Sequence, residues 1–151
     1  MRKIVFLIIT LSLLLSVLTS CTQQRDAYGM LNEFITAYGA EGVIYSPCIS
    51  EGEVGYVQDG LEEKIFVFSG RFPENYAIFL NSRTDKPSEC GIFVCEDAAM
   101  LAMMEEACLE RIKLLGQGGD HTFVKRRGDV VYYSVMQDKE RAEALLREII
   151  R

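Results

Sequence analysis

The chain has 151 residues, with 22 acidic against 16 basic side chains and a net charge of −6. That balance argues against a nucleic-acid-binding surface, because the phosphates of such a partner repel an acidic protein. Length and a hydrophobic fraction of 49% suit one globular core, and no segment is of low complexity.

Residues 1–20 read as an export signal. Arg2 and Lys3 give a positive start, Ile4 to Leu18 is apolar except for Thr10, Ser12 and Ser16, and small residues close the segment. The apolar run of 15 residues spans about 22 Å, short of the roughly 30 Å hydrocarbon core, so a permanent membrane-spanning helix is the weaker reading. Leu18-Thr19-Ser20-Cys21 resembles the lipobox of bacterial prolipoproteins. The resemblance implies cleavage between Ser20 and Cys21, a diacylglyceryl thioether on the Cys21 sulfur with palmitate-type acyl chains, and a lipid-anchored protein at the outer face of the cytoplasmic membrane. Two or three acyl chains, at about 0.8 kcal/mol per buried methylene, make such an anchor firm.

Cleavage leaves residues 21–151 and, with Arg2 and Lys3 removed, takes the net charge from −6 to −8. An acidic domain is repelled by anionic head groups, so lipid rather than a basic face is the expected attachment. Four cysteines follow Cys21: Cys48, Cys90, Cys95 and Cys108. In an exported protein they are either disulfide-bonded, with three pairings open, or free thiols serving as small apolar side chains. None has C-x-x-C spacing, and the only histidine, His121, lies far from them, so neither a zinc site nor another metal or cofactor site is expected.

Residues 21–25 form a tether. The four residues after Cys21 reach at most about 14 Å, which holds the domain at 26–151 close to the bilayer. Asp26 is placed to cap a helix to about Tyr38, with Leu31, Phe34, Ile35 and Tyr38 on one face and Gly39 ending it. Val43 to Tyr45 reads as a short strand before Pro47, and Ser46 to Gly60 as a glycine-broken stretch. Leu61 to Gly70 carries both signals. Ile65 to Phe68 has strand composition, yet Leu61, Ile65 and Phe68 are at helical spacing behind Asp59, and a short helix is the preferred reading.

Tyr76 to Leu80 and Cys90 to Cys95 read as partner strands joined by a polar connection through Pro87. Asp97 caps the longest helix, to about Leu115. Leu101, Met104, Cys108, Ile112 and Leu115 form its apolar stripe, and Glu105, Glu106, Glu110 and Arg111 are expected to point away. Thr122 to Lys125 and Asp129 to Met136 form a hairpin turning at Arg126 to Gly128. Asp138 opens a last helix with Ala142, Leu145, Leu146, Ile149 and Ile150 on one side. The expected fold is α+β: a small antiparallel sheet of about four strands, in ββαββα order over the C-terminal half, with helices on one face and an N-terminal helix in front.

From Tyr76 onward the chain resembles a family of short lipoproteins of unknown function from Gram-positive, largely clostridial bacteria. The resembling features are Gly91-Ile92-Phe93-Val94, the long helix with Arg111, Gly128-Asp129-Val130-Val131-Tyr132-Tyr133 and the helix opened by Asp138. The resemblance implies a helix ending near Phe68-Ser69-Gly70 and carries no catalytic residue.

Any Ser-His-Asp or Cys-His site would need His121, but its acidic neighbour Asp120 is adjacent in sequence and no G-x-S-x-G is present. Gly116, Gly118 and Gly119 follow a helix instead of opening one, which makes them a turn rather than a phosphate cradle. Lys125-Arg126-Arg127 is the one basic cluster, either solvated or facing an anionic partner such as a wall polymer or lipid head group. Arg127-Gly128-Asp129 spells an adhesion tripeptide but suits a hairpin turn. Glu51, Glu53, Asp59, Glu62 and Glu63 offer carboxylates for acid–base work on a glycan but lack a calcium-loop pattern. Met100, Met103 and Met104 read as helix packing. The expected role is a non-catalytic binding or interaction module held near the membrane, its envelope partner undefined. The alternatives are a small envelope enzyme acting on wall material and a thiol-active envelope protein.

Overall fold

The computed structural model describes residues 26–68, 70–81, 88–116 and 119–151. The expected signal at 1–20, Cys21 and the tether lie outside these residues, as do Ser69, Pro87 and Gly118. Nine elements follow in order: α1 (Ala27–Tyr38), β1 (Val43–Tyr45), α2 (Leu61–Ile65), β2 (Asn75–Leu80), β3 (Glu89–Val94), α3 (Ala98–Leu114), β4 (Thr122–Arg127), β5 (Val130–Val135) and α4 (Lys139–Ile149). The class is α+β with a helix in front of the sheet, and the C-terminal half runs ββαββα.

The sheet has five strands, ordered β1-β2-β3-β5-β4, every neighbouring pair antiparallel. Val43–Tyr45 supplies the strand beyond the expected four. Because β5 lies between β3 and β4, the latter two are parallel, and α3 is their crossover.

Helices cover both faces of this sheet, not one. On the first face, Ala77, Phe79, Cys90, Ile92, Phe123, Val130 and Tyr132 meet Leu31 and Phe34 of α1 and Ala142 and Leu146 of α4. On the second, Tyr76, Ile78, Phe93, Val131, Tyr133 and Val135 meet Ile65 of α2 and Met100, Met104, Ala107 and Cys108 of α3. The strands are apolar at successive positions, with β5 buried along its whole length. Such a strand has two faces to bury, which one helical layer does not satisfy.

Local chemistry sets the helix ends. The Asp26 carboxylate accepts from the backbone N–H groups of Tyr28 and Gly29, both at 3.1 Å, and Gly39 closes α1 at φ 77°. Asp97 and Asp138 cap α3 and α4, accepting from the N–H of Met100 and of Arg141. At α2 the cap position falls to Gly60, without a side-chain hydrogen bond, so Asp59 does not cap it. The ambiguous apolar run divides there: the helix ends at Ile65, and Phe66 is extended and buried. The hairpin turns at Gly128 and Asp129, two residues later than the expected start of the turn, because Lys125 to Arg127 pair fully with β5. Gly128, at φ 62°, takes the first central position of that tight turn.

Antiparallel packing of α1 against α4 gives the domain two poles. At one, the Tyr38 hydroxyl accepts from the Asp138 N–H at 3.0 Å, and Arg141 donates to the Ala37 carbonyl at 3.0 Å. At the other, the Ala27 N–H donates to the Asn75 side-chain oxygen at 3.0 Å. Asn75 pairs with Val94, Val94 with Val130 and Val130 with Arg127, so this pole is one transverse row of the sheet. The chain enters the domain at this second pole, through Asp26. No helix of the described residues is long and apolar enough to cross a membrane.

Candidate functional site

The most concentrated polar chemistry lies at the pole away from Asp26. Glu89 opens β3 and is 4% exposed. Its carboxylate accepts from Arg111 Nε at 2.8 Å and Arg111 Nη2 at 2.7 Å, and it also accepts from the Tyr133 hydroxyl. Arg111 therefore points inward, against expectation. It stands seven residues after Met104, on the buried stripe of α3, and the carboxylate gives its charge a reason to be there. The hydrogen bonds that Arg111 donates to Glu89 raise the guanidinium pKa, while burial foremost, with the neighbouring carboxylate, drives the Tyr133 hydroxyl well above its usual value. Both carboxylate oxygens are engaged, so the cluster is a clamp joining β3, β5 and α3.

Beside the clamp the surface opens into a hollow of about 460 Å³ lined by Tyr38, Glu41, Asn81, Ser88 and Gln137, among others. Gln137 also borders a second hollow with Asp120, Asp138, Lys139 and Glu143. Both are wide and polar. Tyr38 is held by its neighbours: its ring centroid lies 5.6 Å from that of Phe34 and 5.1 Å from the Arg141 guanidinium.

Of the other sequence candidates, Asp120 lines the second hollow and His121 stands beside Gln137 at the same pole. His121 is exposed, and its Nδ1 lies 3.0 Å from the Gln137 carbonyl oxygen. In the acidic cluster, Glu62 accepts from the Tyr76 hydroxyl at 2.6 Å. Among the described residues, no group of three or more His, Cys, Asp or Glu side chains stands close enough to hold a metal. Met100 and Met104 are buried in the second core, and Met103 is 39% exposed.

Cys48, Cys90, Cys95 and Cys108 are free thiols. Cys48 is exposed, with its sulfur 3.2 Å from the Ser46 hydroxyl. The other three are buried, and burial is the main cause of their raised pKa values: Cys95 is pushed up to about 11, and Cys90 and Cys108 rise well above the usual thiol range. Thiols held in the neutral form are poor nucleophiles.

The basic run changes most on folding. Lys125 and Arg127 lie on the α4 side of the edge strand β4, and Arg126 lies on the other. Lys125 is ion-paired with Glu143, and Arg127 Nη1 donates to the Arg147 carbonyl at 2.7 Å.

Sequence reasoning missed the Glu89–Arg111–Tyr133 clamp. Its signals were present: a glutamate opening an otherwise apolar strand, and an arginine in register with the apolar stripe of a helix. No family model, curated protein or solved structure matches the chain.

Proposed function

We propose that the protein is a lipid-anchored extracytoplasmic binding module, held against the outer face of the cytoplasmic membrane and presenting its polar pole outward. The observation that carries this is the spacing of Leu18-Thr19-Ser20-Cys21 from the Asp26 cap, with four residues between lipid site and folded domain. At most about 14 Å of chain separates the two, so the Asp26 pole faces the bilayer and the hollow at Tyr38, Ser88 and Gln137 faces away. A binding role fits side chains that are already engaged: Glu89 clamped by Arg111, buried neutral thiols and His121 beside a backbone carbonyl. The module would meet an envelope protein or wall polymer through this outward pole and would use no cofactor.

Intact mass of protein extracted from host membranes tests the anchor. The expected species lacks residues 1–20 and carries a diacylglyceryl group on Cys21. A mass retaining the signal, or a processed chain without lipid, contradicts it. For the binding role, Ser88→Trp and Gln137→Trp are expected to abolish partner capture while leaving the thermal transition in place. Loss of a turnover activity on His121→Ala with the fold intact would instead show an enzyme.

A further inference from the structure

The protein is acidic overall, yet folding sorts its charges. Lys125 and Arg127 project from β4 toward α4, where Arg147 stands one turn beyond Glu143. Lys125 pairs with Glu143, Arg127 bonds the Arg147 carbonyl, and Arg151 follows one turn later beside Glu148. All three of Lys125, Arg127 and Arg147 act on the Tyr132 hydroxyl, with Glu143 the acidic counterpart, so these groups form one neighbourhood. Arg126 is exposed on the opposite side of the same strand end. The β4–α4 edge is thus a seam with a local surplus of positive charge.

Its position is specific. Arg127 shares the transverse sheet row of Asn75, whose side chain holds the start of α1. Three strand steps of about 4.8 Å separate the two residues, so the seam opens at the tethered pole, about 14 Å across the sheet from where the chain enters. The other side of that pole differs. There Arg71 is paired with Glu96 at 2.7 Å and lies near Glu74, and Asp97 caps α3. The pole is basic at the β4–α4 edge and neutral to acidic where β3 leads into α3.

Resting on the lipid-anchor reading above, we infer that the Lys125–Arg127–Arg147 seam is a second membrane contact, binding anionic phospholipid head groups and tilting the domain onto its β4–α4 edge. A chain tethered within about 14 Å keeps these cations near the head-group plane, where the surface potential is felt within a screening length of about 8 Å. Tether reach favours the membrane over a wall polymer. Asp129, in the turn beside Arg127, marks the seam's limit.

The test uses the full lipidated chain in vesicles of phosphatidylcholine alone or mixed with phosphatidylglycerol, read by backbone amide exchange. On the anionic vesicles, exchange over 125–129 and 147–151 is expected to slow by about fivefold, the factor one near-surface arginine supplies. The slowing should vanish in about 1 M salt, where the screening length is about 3 Å, and in Arg127→Gln/Arg147→Gln, a variant that leaves the Lys125–Glu143 pair in place. Equal exchange on both vesicles, with the lipid present by mass, overturns the seam and spares the anchor. A chain without the lipid mass overturns both. Slowing by soluble poly(glycerol phosphate) but not by vesicles reassigns the seam to a polymer and overturns the membrane contact.

Discussion

Arg111 reaches from the last turn of α3 to grip Glu89 at the start of β3 through two hydrogen bonds of 2.8 and 2.7 Å. Side-chain exposures of 17% and 5% leave the pair little access to water. Removing one partner strands the other charge, which costs about 3–5 kcal/mol for a buried pair. Arg111→Ala is therefore expected to lower the urea midpoint by that equivalent, and Glu89→Met/Arg111→Met to recover most of it. A loss below about 1 kcal/mol for Arg111→Ala would mean the pair is solvated.

Gly91 sits opposite Tyr133 in the β3–β5 ladder. A Cβ there would run into the Tyr133 ring and come within 2.9 Å of the Phe93 ring. Those rings stack at 6.3 Å, and Phe66 meets both edge-on. Gly91→Ala overpacks this group and is expected to cost about 1–3 kcal/mol, measured by thermal unfolding. An unchanged transition would show that the rings move aside freely.

Alkaline pH should unfold the protein early. The folded pKa values of Cys90, Cys95, Cys108 and Tyr133 are all raised, foremost by burial, with Cys95 near 11. A raised pKa gives stability that is complete below the unfolded value and is lost as pH climbs toward the folded one. Unfolded thiols ionise from about pH 8.5 and tyrosines from about pH 10. Each buried thiol then destabilises the fold by about 2 kcal/mol at pH 10. The melting temperature is expected to fall from pH 8.5 to 11, less steeply in Cys108→Ala. A flat profile would show that these thiols ionise in place.

Ser134 is fully buried, and its hydroxyl has no hydrogen-bond partner among the described residues. It lies across from Cys90 and Phe123 on the face beneath α1 and α4. An unmet buried hydroxyl costs about 1–3 kcal/mol, so Ser134→Ala is expected to stabilise by about 1 kcal/mol in urea titration. Destabilisation of that size would show that the hydroxyl finds a partner in solution.

Much of this architecture was legible because local rules and tertiary packing agree. Asp26, Asp97 and Asp138 announce their helices, and the stripes of α3 and α4 are those the core uses. Element order, however, does not say on which face of a sheet a helix lands, so covering of both sides was missed. The run from Ile65 to Phe68 serves a helix end and then an extended segment, and no single period describes it. Sequence alone points Arg111 outward because its partner lies 22 residues earlier, on a strand. The basic seam was hidden for a related reason. Net charge sums over the chain, whereas the field at a surface depends on which side chains the topology gathers, and only pairing of β4 beside α4 joins Lys125 and Arg127 to Arg147.

The anchor at Cys21 is the central claim, and processing and acyl labelling of the wild-type and Cys21→Ala chains in the native host test it most directly. The wild-type chain is expected in the membrane fraction at both low and high salt, since seam electrostatics alone do not survive screening. Cys21→Ala is expected to remain unprocessed and unlabelled by an alkyne palmitate analogue. A Cys21→Ala chain that is cleaved after Ser20 and still takes up the label, or a wild-type chain that takes up none, would contradict the account.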